Sequence, residues 1–194
     1  MHTLTKDDGP ADLPGVTKLG IGASWDTTTG GSGGLVGLAR KARGTDLDAI
    51  AVLMAGQDPV RLAGLDVSDP LQNGGVTHSG DNQTGRGDGD DELIEVDFNK
   101  VPGHVTSIVF VCAAYKRGSD FRKAANVSFK VYDSSGGTTA QVADIWPSLL
   151  GSGNAVAVAK AVRTPAGWTL EVVNERGTIR QGDQNSLLRF AIGK

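Results

Sequence analysis

The stretch Ser107-Ile-Val-Phe-Val-Cys-Ala-Ala-Tyr115 is an apolar run rich in β-branched residues, which is typical of a strand buried in a protein core. It contains Cys112, the only cysteine of the chain, so an intramolecular disulfide is impossible. A thiol inside such a run is expected to be buried and inert rather than catalytic.

Six further segments show the same enrichment or the apolar-polar alternation of strands, at 17–25, 47–54, 92–98, 126–132, 155–162 and 168–174. Clusters rich in glycine, asparagine and aspartate separate them and are expected to be connections, at 27–34, 56–75, 80–91, 134–137 and 151–154. Seven or more short strands predict an all-β protein, folded as a two-sheet β-sandwich.

Two short helices are also predicted, one at 35–43 and one around 142–150, the second interrupted by Pro147. The tail at 177–194 alternates polar and apolar residues and is expected to add an edge strand. Because large rings bury much area, the core or its rim is expected to hold Trp25, Trp146 and Trp168.

Composition narrows the classes of function. The net charge is −3, and the basic residues are scattered apart from Arg40, Lys41 and Arg43, so no nucleic-acid surface is predicted. No stretch approaches the roughly 20 apolar residues that span a bilayer, and no signal peptide is recognisable, so a cytoplasmic location is expected. Nucleophile-elbow, phosphate-loop and His-Glu-x-x-His motifs are missing from the sequence, which argues against an enzyme.

The most unusual segment is Gly80-Asp-Asn-Gln-Thr-Gly-Arg-Gly-Asp-Gly-Asp-Asp-Glu92, with five carboxylates and four glycines in thirteen positions. Carboxylates a few Å apart repel one another by roughly 1–4 kcal/mol per pair at surface-like effective dielectric, so a cation is expected among them. Calcium takes about six to eight oxygen ligands in a flexible shell, whereas magnesium demands tighter octahedral geometry and zinc prefers paired Cys or His. The loop therefore predicts calcium, with a solvated, mobile turn as the alternative interpretation.

A second carboxylate pair, Asp46 and Asp48, lies where a loop enters a predicted strand, and alternation puts both side chains on one side. This pair could complete a site that the acidic loop cannot fill alone. The loop is not an EF-hand, because Arg86 stands at the position where that motif needs glycine. His78 lies beside the loop and is expected to be satisfied by turn backbone rather than to act as a base.

Four blocks resemble the signature of the TerD family in order and spacing: Gly20-Ile-Gly-Ala-Ser-Trp-Asp26, Asp46-Leu-Asp48, Val76-Thr-His-Ser-Gly-Asp-Asn-Gln-Thr-Gly85 and Gly87-Asp-Gly-Asp-Asp-Glu92. The resemblance covers roughly 15–175 and implies a β-sandwich with a bound pair of calcium ions. Asp69 stands near the position of a family asparagine and is a candidate replacement for it. The candidate metal site then comprises Asp46, Asp48, Asp69, Gly80, Asp81, Asn82, Thr84, Asp88, Asp90, Asp91 and Glu92.

The family resemblance implies a non-enzymatic, calcium-binding protein of the bacterial tellurium-resistance and stress-response type. Calcium would order the acidic loops into a surface for a protein partner or for self-assembly. One domain, 1–194, is expected, and it departs from the family pattern in a glycine-rich insertion at 28–44 and a C-terminal extension at 177–194. These departures motivate an alternative, a structural subunit of a phage or injection-system particle.

Overall fold

The computed structural model describes residues 2–27, 45–64, 75–83, 89–147 and 153–194. Twelve strands form in these residues, numbered β1 to β12 in chain order: His2–Thr3, Ala11–Asp12, Lys18–Thr27, Asp48–Ala55, Asp58–Ala63, Val76–His78, Glu92–Asp97, Ser107–Ala113, Ala124–Asp133, Ala140–Ile145, Ala155–Thr164 and Gly167–Gly177. Short 3-10 turns lie at Lys6–Asp8 and Phe121–Lys123, and one α-helix, α1, at Gln184–Ala191. Within the described segments no helix is long and apolar enough to cross a membrane.

The strands form two six-stranded sheets. The first has the order β1-β10-β9-β3-β7-β6, and the second has the order β2-β12-β11-β8-β4-β5. All pairings between these strands are antiparallel except the two-residue parallel contact of β1 with β10. The predicted two-sheet β-sandwich is confirmed, and all seven predicted strands are present as β3, β4, β7, β8, β9, β11 and β12.

Strand β8 explains why the sequence around it is continuously apolar. Alternate side chains of a strand point to opposite faces, and here both sets are buried along the whole strand. The core between the two sheets receives Ile108, Phe110 and Cys112. A second apolar core, on the outer face of the second sheet, receives Val109, Val111 and Ala113. The thiol of Cys112 is buried, as expected, and burial raises its pKa.

The C-terminal segment covers that second core, and the predicted edge strand in it was wrong. Residues 184–191 form α1, capped by Asp183, whose side chain accepts a hydrogen bond from the backbone N–H of Ser186. The apolar residues Leu187 and Ala191 are four positions apart, so they share one helix face, and both are buried against the second sheet. The alternation of polar and apolar residues predicted a strand here. Burial of one apolar face against the second sheet instead favours the helix.

The helix predicted around 142–150 was also wrong for its described part, because residues 140–145 form β10. Ala143 and Ile145 alternate into the core between the sheets, while Trp146 beyond them is 57% exposed and fills neither core nor rim. The predicted connection at 56–75 contains an unpredicted strand, β5, which forms a hairpin with β4. The predicted helix at 35–43 and the insertion at 28–44 lie outside the described residues.

We expect Leu187→Ala to lower the free energy of unfolding by about 2–5 kcal/mol, because it removes a fully buried side chain from the interface between α1 and the second sheet. Urea denaturation followed by circular dichroism measures the change. Asn185→Ala, at an exposed position of the same helix, is the control and should shift stability by less than about 0.5 kcal/mol. Equal effects of the two substitutions would show that α1 is not part of the cooperative fold.

Candidate metal centre at one end of the sandwich

The strand register brings the acidic segments to one end of the sandwich. β4 begins at Asp48, which pairs with Ala113 at the last position of β8. β7 begins at Glu92, which pairs with Ala23 of β3. Glu92 belongs to the first sheet and β4 to the second, yet the Glu92 Oε2 atom accepts a hydrogen bond of 2.7 Å from the backbone N–H of Ala49. This carboxylate therefore joins the two sheets at the acidic end.

Glu92 is 1% exposed and collects two further donors. The backbone N–H of Asn82 donates to Oε1 at 3.2 Å, and His78 Nε2 lies 3.3 Å from Oε2. The backbone N–H of Gly80 donates to His78 Nδ1, so the tautomer that fits this network carries its hydrogen on Nε2 and donates it to Glu92. Burial nevertheless raises the pKa of Glu92 above its ordinary value. As expected, His78 is satisfied partly by turn backbone.

Asp48 has the most perturbed carboxylate of this region. Burial, reinforced by the negative charges of Asp46, Glu92 and Asp81, raises its pKa from 3.8 to about 7. One oxygen, Oδ2, accepts a hydrogen bond from the backbone N–H of Tyr115 at 3.2 Å. We refer to Asp46, Asp48, Asp81 and Glu92 as the acidic cluster, because their charges act on one another across the end of the sandwich.

Asp46 is 6% exposed, and only one of its two carboxylate oxygens has a partner among the described residues. Its Oδ2 atom lies 3.2 Å from Nζ of Lys116. Its Oδ1 atom is buried and accepts a hydrogen bond from none of the described residues. Burial raises the pKa of Asp46, and the charge of Asp81 acts in the same direction. A buried carboxylate oxygen without a donor is costly, so this atom marks a place where a cation would stabilise the structure.

Asp91 anchors the acidic loop to β3. Its Oδ2 atom accepts a hydrogen bond from the backbone N–H of Trp25 at 2.8 Å, and its Oδ1 atom accepts one from Asn82 Nδ2 at 2.7 Å. Its own backbone N–H donates to the carbonyl of Ala23. Burial raises the pKa of Asp91, with Asp26 and Asp90 contributing. The two halves of the loop are thus held to each other and to the sheet.

Asp90 faces the outer surface of the first sheet instead. Its Oδ1 atom lies 2.8 Å from Nζ of Lys130, and its Oδ2 atom accepts a hydrogen bond of 2.5 Å from the hydroxyl of Tyr132. The carboxylate lies directly over Gly22, where an added Cβ would come within 2.2 Å of Oδ2. A larger residue there would force the Asp90 carboxylate away from Lys130 and Tyr132. Asp90 therefore pairs with a lysine on the outer face of the first sheet and points away from the acidic cluster.

The structure brings together six of the predicted site residues near the acidic end: Asp46, Asp48, Asp81, Asn82, Asp91 and Glu92. Asp81 is exposed and accepts a hydrogen bond from Gln83 Nε2. Gly80 contributes its backbone N–H to His78. The predicted residues Asp69, Thr84 and Asp88 lie outside the described segments, so their place in the site stays a prediction.

Sequence reasoning missed the two lysines that partner these carboxylates. Lys130 and Tyr132 occupy alternate positions of β9, so they share the outer face on which Asp90 lies, and the register pairs Lys130 with Gly22. That alternation was the only available signal. Lys116 follows β8 in a connection, and nothing in the local sequence indicates that it reaches Asp46.

The donor set fits a hard cation. Its members offer oxygen atoms, which suit calcium, whereas Cys112 is buried in the core and His78 is already engaged. Within the described segments no three Asp, Glu, His or Cys side chains are close enough together to hold a metal ion. A metal ion at this end would therefore need backbone carbonyls or further loop oxygens in addition to the described carboxylates.

The fold and the acidic end define a β-sandwich protein with carboxylates gathered from loops and strand starts at one end of the sandwich. The chain belongs to the TerD domain family, whose model matches residues 4–182. This finding confirms the family suggested by the sequence blocks. The match ends before α1 begins, and the predicted C-terminal extension at 177–194 stays a prediction.

Similar proteins carry resistance and stress names. The tellurium resistance protein TerD of Alcaligenes sp is 47% identical over 85 residues, which cover 40% of this chain and 44% of that protein. The stress response protein SCP2 of Bacillus subtilis is 35% identical over 127 residues, or 62% of this chain and 64% of that protein. The matched segment thus spans less than two thirds of either relative. Neither name refers to an enzyme or to a phage, and the particle-subunit alternative stays a prediction.

A solved structure has the same fold. It is that of a homologue of telluride resistance protein (TerD) from Streptomyces coelicolor A3(2), with a TM-score of 0.66 and 17% sequence identity. The superposition covers 88% of this chain and 95% of that one. At this level of identity the similarity extends to the fold alone.

We expect the metal-free protein to lose stability as the pH rises from about 4 to about 7. The folded protein holds a proton on Asp48 up to a pKa of about 7, whereas the unfolded chain releases it near 3.8, so unfolding is favoured progressively through that window. Below about pH 4 the group has no effect, and above about pH 7 the loss is complete. Urea titrations in chelator at pH 5 and pH 7.5 measure the difference.

Asp48→Asn removes this titration and should give a flatter stability profile between the two pH values. Asp58→Asn is the matched control, since Asp58 is an exposed carboxylate at the far end of the hairpin formed by β4 and β5. Its profile should follow that of the wild type. A profile for Asp48→Asn as steep as the wild-type one would contradict the assignment of the perturbed pKa to Asp48.

Proposed function

We propose that this chain is a non-enzymatic calcium-binding protein of the TerD stress-response type. Calcium would bind at the acidic cluster and order the adjoining loops into a rigid surface that a protein partner recognises. The observation that supports this most directly is the buried Oδ1 atom of Asp46, which lacks a donor among the described residues while other carboxylates act on the same side chain.

Electrostatics supports a divalent cation rather than a solvated turn. Two carboxylates at 4 Å repel by about 4 kcal/mol at an effective dielectric of 20. Burial raises the pKa of Asp46, Asp48 and Glu92, and neighbouring carboxylates raise the pKa of Asp46 and Asp48 further. A divalent ion between the carboxylates would replace their mutual repulsion by attraction to the ion. Lys116 is the one cation paired with the cluster among the described residues, and its single charge offsets only part of it.

The backbone of the loop also suits calcium. Gly80 and Gly89 have positive φ angles of 127° and 96°, a conformation that other residues adopt only with strain. Such turns can direct carbonyl oxygens toward a central ion, and calcium accepts carbonyls together with carboxylates. Magnesium would keep more of its water and tolerate fewer protein ligands. Calcium is therefore the preferred ion, and the family resemblance favours two ions in each chain.

Isothermal titration calorimetry of chelator-treated protein tests the proposal. We expect saturable binding of about two calcium ions per chain, and at least tenfold weaker binding at one site in Asp46→Asn, equivalent to about 1.4 kcal/mol. Asp46 is a better target than Glu92, because changing Glu92 would also disturb the hydrogen bond between the sheets. Asp58→Asn is the control and should bind as the wild type does.

Stability and size give two independent readouts of the same samples. At a hundredfold excess of calcium over its dissociation constant the gain is about 2.7 kcal/mol, which raises the melting temperature of a domain of this size by roughly 5–10 °C. Growth in particle size on calcium addition, seen by light scattering, would indicate self-assembly of the ordered surface. Absence of binding heat up to millimolar calcium, with an unchanged melting temperature, would rule the proposal out.

A further inference from the structure

Lys116 reaches into the acidic cluster from a connection that the cluster itself helps to hold. The preceding residue, Tyr115, donates its backbone N–H to Asp48 Oδ2, which places the start of this connection against the cluster. Nζ of Lys116 lies 3.2 Å from Asp46 Oδ2. The side chain of Lys116 is 54% exposed and that of Asp46 only 8%, so a largely exposed cation meets a buried anion.

Three carboxylates attract this one ammonium group. The charges of Asp46, Asp81 and Asp48 all act on Lys116 and favour its protonated form. No other lysine or arginine among the described residues forms an ion pair with any of these three carboxylates. The ammonium therefore lies on the carboxylate whose other oxygen, Oδ1, lacks a donor among the described residues, so a cation bound at Oδ1 would meet this positive charge at close range.

We infer that Lys116 is a built-in counter-ion of the acidic cluster, which a divalent cation must displace in order to bind. The inference rests on the proposed calcium site and adds a competitor to it. In the metal-free protein the ammonium offsets part of the carboxylate repulsion. When calcium enters, Lys116 gives up Asp46 and moves into solvent, which its long and strongly hydrated side chain permits.

Lys130 provides a useful contrast within the same chain. Its ammonium lies 2.8 Å from Asp90 Oδ1 and 3.4 Å from the hydroxyl of Ser24, and its side chain is only 26% exposed. That lysine is enclosed by its partners on the outer face of the first sheet and fixes Asp90 there. Lys116 has one ion-pair contact among the described residues and a more exposed side chain, so it is the one of the two that can be exchanged.

This exchange would favour divalent over monovalent cations. A sodium or potassium ion replacing the ammonium substitutes one positive charge for another, so it gains little electrostatic energy from the cluster. A calcium ion brings a second charge and more coordination positions. Lys116 would thus set a threshold concentration for calcium while excluding the more abundant monovalent ions.

Calcium titration of Lys116→Gln tests the inference, and we expect its dissociation constant to fall about three- to tenfold relative to wild type. Lys100→Gln is the matched control, because Lys100 is also an exposed lysine, 3.2 Å from a carboxylate, Asp97, beyond the other end of β7. It removes the same charge and should leave the affinity within about twofold of wild type. Lys116→Arg keeps the competing charge and should also stay near wild type.

Melting temperatures distinguish a competitor from a merely structural lysine. In chelator, Lys116→Gln should melt below wild type, because its carboxylates lose their counter-ion. In saturating calcium it should melt at or above wild type, whereas loss of a structural contact would lower both values. If wild type and Lys116→Gln both bind calcium with the same dissociation constant, this inference is overturned and the proposed calcium site is not. Absence of calcium binding in both proteins would overturn the proposed calcium site as well.

Discussion

The hydrogen bond from the Ala49 backbone to the buried carboxylate of Glu92 is the contact on which the acidic end of the molecule depends. It crosses from one sheet to the other, and the same carboxylate also receives donors from His78 and from the loop residue Asn82. A buried carboxylate is tolerated only where its lone pairs are satisfied, so Glu92 needs all three of these donors. Sheet packing and loop conformation are thereby coupled at a single side chain.

From this point the acidic loop divides in two directions. Glu92 and Asp91 turn toward the sandwich, where burial raises the pKa of each carboxyl group. Asp90, between them and the glycine-rich part of the loop, turns to the outer surface and is neutralised by Lys130. This division follows the partners of each carboxylate, since Asp90 contacts Lys130 and Tyr132 on the outer face while Asp91 accepts from the backbone of Trp25 and Glu92 from that of Ala49. Asp90 thus has a lysine as its counter-ion, whereas Asp91 and Glu92 form no ion pair with a lysine or arginine among the described residues.

Much of the fold was readable from the sequence because the central strands combine β-branched residues with turn-rich boundaries. The two wrong predictions of secondary structure share a physical cause. Residues 140–145 and 184–191 have weak local preferences, and each took its conformation from the surface that it had to cover. The acidic residues were recognisable by composition, whereas Lys116 and Lys130 were not, because a cation reaching a carboxylate from a distant connection leaves no pattern in either segment.

Burial of β8 on both faces sets a limit on how far the chain can be shortened. The family match ends at residue 182, yet the outer apolar core is closed by Leu187 and Ala191 beyond that limit. A chain cut at the family boundary would present Val109 and Val111, with neighbouring aliphatic side chains of β4, to water as a continuous hydrophobic strip. Such a surface promotes association between molecules, so residues beyond the matched segment shield this chain from aggregation through its second sheet.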